Sequence, residues 1–563
     1  MSEQNDNTVD PIELMIDEAM KKPHPQTLNP IIFVVTICVS ILGAIIGMEL
    51  ITSLGVNPNT SIIGALIAVA IGFIPLKMFD QFRSIHTQNL VETGISAATF
   101  GAGNVMIYAL SVCWLLGLTD IIPAMLVGAS IGMLIDITVL YWLYDTSVFP
   151  AKDAWPLGIA TSETILAATE KGKKALILVC GAVVGAFGSW IKIPMDIIGI
   201  CTIGNLWALS MFCIGLILRG YVCPWFNFKL DDYYIPHGMM IGAGLVAMIQ
   251  IWIIISKESK KKKMKQMSLK TDAELATTIT ETIQPGEPTR SADDMKKGLI
   301  KGYVLFTLGA IAMVVIAGLW TDMSLPWLIG FILFTAVAAI ATELMIGISA
   351  MHSGWFPGVA TTLIFLVLGV LIGFPISAMA LITGYAASTG PAFADMGYDL
   401  KAGWILRGKG KNPAFELEGR KQQYIAELLG GIVAIIIGSV AYTGYFVRDL
   451  VPPASRVLAK TIEAGINPEI IKWLAIFAIF GGLIQFIGGP EKQLGILLST
   501  GLLITNPKAG IFGLATIIIR FIIEKKWGSK AMDQVIVFGA GLIAGSALFS
   551  FFNGTIGNIK KKL

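Results

Sequence analysis

The sequence predicts an all-α polytopic membrane protein, with about 14–16 transmembrane or re-entrant helices in two duplicated halves that run parallel. Three observations carry that reading. The 563 residues are 55% apolar and only 14% charged, where a soluble chain carries about 25% charged residues. Apolar runs long enough to span a bilayer recur from Pro30 to Phe552. Short motifs of the first half return in the same order in the second. A net charge of +3 gives no reason to expect nucleic acid as a partner. The six cysteines show no C-x-x-C spacing and the four histidines form no cluster, so neither a disulfide framework, a metal site nor a cofactor is expected.

Residues 1–29 are polar and partly acidic, without the apolar core of a signal peptide, and read as a cytoplasmic segment. The first membrane half, residues 30–256, holds apolar runs near Pro30–Leu54, Ser61–Leu76, Leu90–Leu116, Ile121–Leu143, Ala175–Ile191, Ile197–Leu218 and Pro236–Ser256. Residues 257–298 then carry seven lysines by Lys270, followed by Thr- and Pro-containing sequence, and read as a cytoplasmic linker. The second half, residues 299–556, resumes near Leu299–Trp320, Leu325–Ser349, Phe356–Ile372, Phe374–Ala394, Tyr424–Phe446, Ile470–Gly489, Leu494–Ile504, Ala509–Ile523 and Val535–Phe552. A basic tail, residues 557–563, closes the chain. Several runs are too short or too Gly/Pro-interrupted for plain helices, and such segments are tolerated only where protein covers them or they line a cavity.

Gly242-Ala-Gly-Leu-Val-Ala247 returns as Gly539-Ala-Gly-Leu-Ile-Ala544. Gly181–Ser189 parallels Gly431–Ser439, and Gly94-Ile-Ser-Ala97 parallels Gly347-Ile-Ser-Ala350. The basic loops Lys171–Lys174 and Arg407–Lys421 stand in equivalent places, which puts both on the cytoplasmic side of the cell membrane and gives each half an even number of crossings. Against this, Glu524–Lys530 and Lys560–Lys562 flank a single apolar run and cannot both be inside if it crosses once.

Four stretches carry candidate chemistry. Asp395 and Asp399 are four residues apart and share a helix face, with Tyr398 and Lys401 beside them. Their position after the run Phe374–Ala394 is equally that of an interfacial loop. Gln88, Asn89 and Glu92 open the third run, with Gln88 and Glu92 on one face; an amide and a carboxylate there suit an ammonium or a proton, or simple interhelical hydrogen bonding. Trp155–Leu166 looks like a half-helix with Glu163 one turn in, or an interfacial helix. His352 precedes a similar stretch; a lone histidine at a boundary is more often structural. Glu49, Asp136, Glu343 and Arg520 are further ionisable groups in or near apolar runs.

These stretches also carry a resemblance. Gln88-Asn-Leu-Val-Glu-Thr-Gly-Ile-Ser-Ala97, Trp155-Pro-Leu-Gly-Ile-Ala-Thr-Ser-Glu163, Asp395-Met-Gly-Tyr-Asp-Leu-Lys-Ala-Gly403 and Gly539-Ala-Gly-Leu-Ile-Ala-Gly545 resemble blocks of the oligopeptide transporter family, which includes the yellow stripe-like metal-chelate transporters. The chain looks like a prokaryotic-type member. Asp399-Leu-Lys-x-Gly403 is the most specific match. In the first block the acid and amide are exchanged, Gln88 standing where the family has Glu and Glu92 where it has Gln. Tyr398 replaces the usual Gln, and Leu157 a common acid. The resemblance implies a transporter that moves peptides or peptide-like metal chelates, generally with protons. Asp395, Asp399, Glu92 and Glu163 are then the available proton carriers, and Lys401 pairs with Asp399 or with a substrate carboxylate. Lipid and the small-molecule substrate are the expected partners, and a homodimer is compatible with the sequence.

Other classes fit less well. An intramembrane enzyme would want a His-rich metal set or a catalytic dyad from two segments, and Asp395 and Asp399 lie in one. A passive channel or facilitator would need no proton carrier. Gly408–Pro413 lacks the spacing of a phosphate-binding loop, which leaves no sign of an ATP-driven pump.

Overall fold

The computed structural model describes residues 11–54, 60–170, 173–247, 249–250, 253, 288–354, 358–464, 468–504 and 506–562. The lysine run of the linker, the first residues of the N-terminal segment and part of the stretch after His352 lie outside the described residues. The described chain is built from helices, and among the described residues there is no strand.

In the first half the helices are α1 (Pro11–Met20), α2 (Pro30–Leu54), α3 (Thr60–Gly72), α4 (Ile85–Phe100), α5 (Tyr108–Leu115), α6 (Ile122–Leu143), α7 (Pro156–Glu170), α8 (Lys173–Trp190), α9 (Met195–Ile203), α10 (Leu206–Ile217) and α11 (Ile235–Ala247). In the second they are α12 (Ala292–Ala317), α13 (Leu325–Ser353), α14 (Gly358–Ile372), α15 (Ile376–Ser388), α16 (Pro391–Leu406), α17 (Pro413–Phe446), α18 (Pro453–Ala464), α19 (Pro468–Lys492), α20 (Leu494–Leu503) and α21 (Pro507–Lys562). Gly528, at φ +73°, breaks α21 into two helices, so the basic residues near it sit at a turn.

Among the described residues nine helical stretches are long and apolar enough to cross a membrane, and four shorter apolar helices accompany them. Their polarity is turned inside out. Along α12, Ile300, Val304, Leu308, Ile311 and Val315 form an exposed apolar stripe, while Gly298, Gly302, Phe306, Gly309 and Met313 face inward. A soluble helix shows water the opposite face. Such a surface is stable only against lipid, and helices satisfy their own backbone there. The molecule is an integral, multi-pass membrane protein.

Small residues let these helices touch. A side-chain carbon at Gly430 of α17 would run into the Gly94 carbonyl of α4. Gly541 of α21 lies against Gly181 of α8 just as closely, and Gly242 of α11 against Ala478 of α19. Close backbone approach through small residues is the usual means of association in lipid.

Two polar helices occupy the centre. All sixteen residues of α4 are buried, and a π-helical stretch, Gly101–Ile107, continues it. The other is α16, which packs against α4, α6, α7, α13 and α17 and is buried at every position except Trp404. The sequence pattern suggests one run over Phe374–Ala394; the structure shows two helices with a break at Thr389–Gly390. Gly390 has φ +103°, a conformation open to glycine, and Pro391 starts the next helix with its fixed φ. Asp395 therefore lies inside a buried helix, not in a polar loop at a membrane boundary.

Candidate functional site

The site grows from the crossing of α4 and α16. Ser96 Oγ donates to Asp395 Oδ1 (2.7 Å), and Ser61 of α3 reaches the same oxygen at 3.5 Å and Ser96 Oγ at 2.8 Å. One turn earlier on α4, Glu92 comes within hydrogen-bonding reach of Asp399. The pairings 96 with 395 and 92 with 399 run in opposite directions, so the two helices cross antiparallel and their i, i+4 faces meet. Glu427 of α17 enters from the side and also reaches Asp399.

Four carboxyls thus converge, and all four are fully buried. Asp395, Asp399 and Glu427 place one oxygen each within 4.8 Å of one another. Both oxygens of Asp399 and of Glu427, and one each of Glu92 and Asp395, have no hydrogen-bond donor among the described residues. Asn89 Nδ2 donates to the other oxygen of Glu92 at 3.3 Å. Beside the cluster lie two more polar atoms without a partner among the described residues, the Tyr398 hydroxyl and the Trp155 indole N–H, their rings 6.0 Å apart and edge to face.

A neutral ion network lies next to the acids. Gln423 Nε2 donates to the Asp399 carbonyl (2.6 Å) and to Thr93 Oγ1 (3.2 Å), and its Oε1 accepts from Arg407 Nη1 (2.7 Å). Arg407 sits at the C-terminal end of α16, where a cation is favoured. It grips Glu416 through Nε (2.7 Å) and Nη2 (3.1 Å), and Glu416 also accepts from Arg420 (3.2 Å). Arg420 reaches Asp145 at 3.4 Å. Asp145, in the loop after α6, is opposed by burial, yet the Thr289 hydrogen bond and the Arg420 charge hold its carboxyl below the ordinary value. Thr289 Oγ1 donates to Asp145 at 2.6 Å, which ties the segment entering α12 to α6 and α17. Two cations and two acids balance here; among the described residues the four central acids have no ion-pair partner.

The geometry is a buried acid cluster on helices from both halves of a membrane protein, one of them a short helix after a break. The sequence profile described as OPT oligopeptide transporter protein matches residues 191–555. The chain belongs to the oligopeptide transporter family. No curated protein is similar enough to be matched. As a family member it carries oligopeptides across membranes. The matched stretch of the transporter includes Asp395, Asp399 and Glu427, whereas Glu92 lies before it.

The expected residues divide. Glu92, Asp395 and Asp399 come together, with Tyr398 alongside. Asn89 supports Glu92, while Gln88 turns away and donates to the Phe82 carbonyl (2.9 Å). Lys401 does not pair with Asp399. Two residues on a helix point about 200° apart, and Lys401 Nζ instead donates to the Ala151 carbonyl (2.8 Å) and lies over the Trp404 ring. Glu163 is half-buried on α7 and is not among the converging acids. His352 ends α13, where its carbonyl accepts from the Asn205 N–H at 2.8 Å. Glu427 was not singled out by the sequence reading. Its signal was present, an acid in the apolar run Tyr424–Phe446.

Proposed function

We propose that this oligopeptide transporter is a proton-coupled symporter, with small peptides or peptide-like metal chelates as cargo. The convergence of Glu92, Asp395, Asp399 and Glu427 away from any paired cation carries the reading. Four ionised carboxylates cannot be held together away from water, so the cluster needs protons or a bound cation. A peptide brings an ammonium group. With two of the four acids already protonated, a further proton and that ammonium discharge the remaining pair jointly, whereas either alone leaves charge that opposes rearrangement inside the membrane. That is a physical basis for moving the two together. Three oxygens within 4.8 Å would equally receive the cation of a metal chelate. The basic loops support an orientation with the N-terminus and linker on the cytoplasmic side.

The test uses protein reconstituted in liposomes that contain a pH-sensitive dye. With no gradient imposed, external peptide should acidify the lumen as it enters. Peptide entry without proton movement would mean a facilitator. A divalent-ion requirement in place of proton movement would assign the cluster to a metal.

A further inference from the structure

The N-terminal end of α16 faces a second pair of acids. Asp136 of α6 and Glu343 of α13 are both fully buried. Asp136 Oδ2 accepts from the Gly390 N–H, and the same carboxyl takes a bond from the Phe393 N–H. Its Oδ1 and both oxygens of Glu343 have no hydrogen-bond partner among the described residues. Glu343 feels the charge of Asp136. From α15, Tyr385 faces both acids while its hydroxyl donates to the Phe306 carbonyl of α12 (3.2 Å). Among the described residues, no lysine, arginine or histidine acts on either carboxyl. Among the described residues, the groups that act on the pair's charge are the Tyr385 phenol, two backbone N–H groups and the acids themselves.

We infer that Asp136 and Glu343 form a second proton-binding site at the N-terminus of α16, in which Glu343 holds a proton and Asp136, which accepts the helix-end N–H groups, keeps the negative charge. Two adjacent buried carboxylates without a cation cannot both stay ionised. The compensating species is a proton and not a metal or sodium ion, because the N-terminus of α16 already presents partial positive charge and two N–H donors. That end stabilises one net negative charge and repels a second cation. The seat is built for this purpose by the break before α16. Gly390 holds φ +103°, and a side chain there would strike Ile346. With one proton on Glu343 and the negative charge on Asp136, the pair grips the helix end; a second proton neutralises it and loosens the grip. Asp395 and Asp399 follow Gly390 by five and nine residues, about 7.5 and 13.5 Å along the same helix. Protonation at one end is thereby coupled mechanically to the acid cluster further along. This site lies on α6 and α13, whereas the cluster draws on α4 and α17, and its existence does not depend on what the protein transports.

Infrared difference spectroscopy between acid and alkaline pH tests it on the purified full-length protein, with no transport assay. The carbonyl band of protonated carboxylic acids should be present in the wild type and lose a component in Glu343→Gln. Asp399→Asn should remove a different component. If Glu343→Gln fails to fold, Asp136→Asn carries the test by band position: Glu343 keeps its proton without the neighbouring charge, so its carbonyl component should shift in frequency and persist to higher pH. An unchanged carboxylic-acid band in a folded variant of the pair overturns the inference. So does a sodium-dependent rise in the thermal stability of the wild type that Glu343→Gln abolishes. Loss of this band in a protein that moves no protons would leave the site standing and refute only the symport reading.

Discussion

Asp399→Asn removes the one carboxyl within reach of both Glu92 and Glu427, and its consequence has a computable size. Two ionised carboxylates within 4.8 Å repel by about 3.5 kcal/mol or more at an effective dielectric constant of 20. Wild-type protein meets that repulsion only when the cluster is driven to lose its protons, at high pH. At low pH the acids are neutral and the variant gains nothing. Asp399→Asn should therefore match the wild type in thermal stability under acid conditions and exceed it increasingly as pH rises. In proteoliposomes the same variant should lose accumulation of peptide driven by an inward proton gradient. Folding is monitored by size-exclusion chromatography and melting across a pH series. Equal melting curves at alkaline pH, or full gradient-driven uptake, would refute the claim that these carboxyls share protons and couple transport.

Other perturbations follow from particular contacts. Gly390→Ala places a methyl against Ile346 at a φ of +103°, which should cost roughly 1–3 kcal/mol of stability; an unchanged melting temperature would contradict the description of the α15–α16 break. Lys401→Met leaves the Ala151 carbonyl without its donor and should lower stability by about 1–3 kcal/mol, yet the pH profile of uptake should keep its midpoint because Lys401 does not face the acids. His24, which precedes α2, is pushed down from 6.5 to about 4 by burial and by the Arg407 charge, and its ring lies against His86 and Phe415. Its folded value lies below its free value, so the undocked segment binds more protons. Docking of residues around His24 is then complete above pH 6.5 and weakens as pH falls toward 4. Proteolysis near Lys21 and Lys22 should accelerate over that window, and His24→Phe should abolish the dependence.

Much of this was legible in the chain. The exclusion of charge from long runs identified a polytopic helical membrane protein, and the i, i+4 spacing of Asp395 and Asp399 placed both on the face that meets α4. Glu92 was legible for the same reason. Glu427 was hidden by its surroundings, since an apolar run invites the eye to treat a single acid as incidental, although intramembrane acids are rarely so. The mistaken partner for Lys401 came from closeness in sequence, where helical geometry already separates residues two apart. The break before α16 had its marks, Gly390 and Pro391, inside what reads as a continuous apolar stretch. Which elements supply the remaining partners is a matter of long-range packing. Ser61, Gln423 and Asp145 are ordinary polar residues until α3, α17 and the loop after α6 are brought against α4 and α16. Gly181 and Gly541 stand out in sequence within repeated motifs, and in the structure each meets a backbone that no side chain would clear.

Uptake into proteoliposomes under an inward proton gradient, with a mixed pool of di- to hexapeptides offered with and without chelated iron, decides whether this transporter is a proton symporter. At least one component should accumulate above its outside concentration, and fall back when the gradient is collapsed. Entry that only equilibrates, with or without the gradient, would contradict the symport reading.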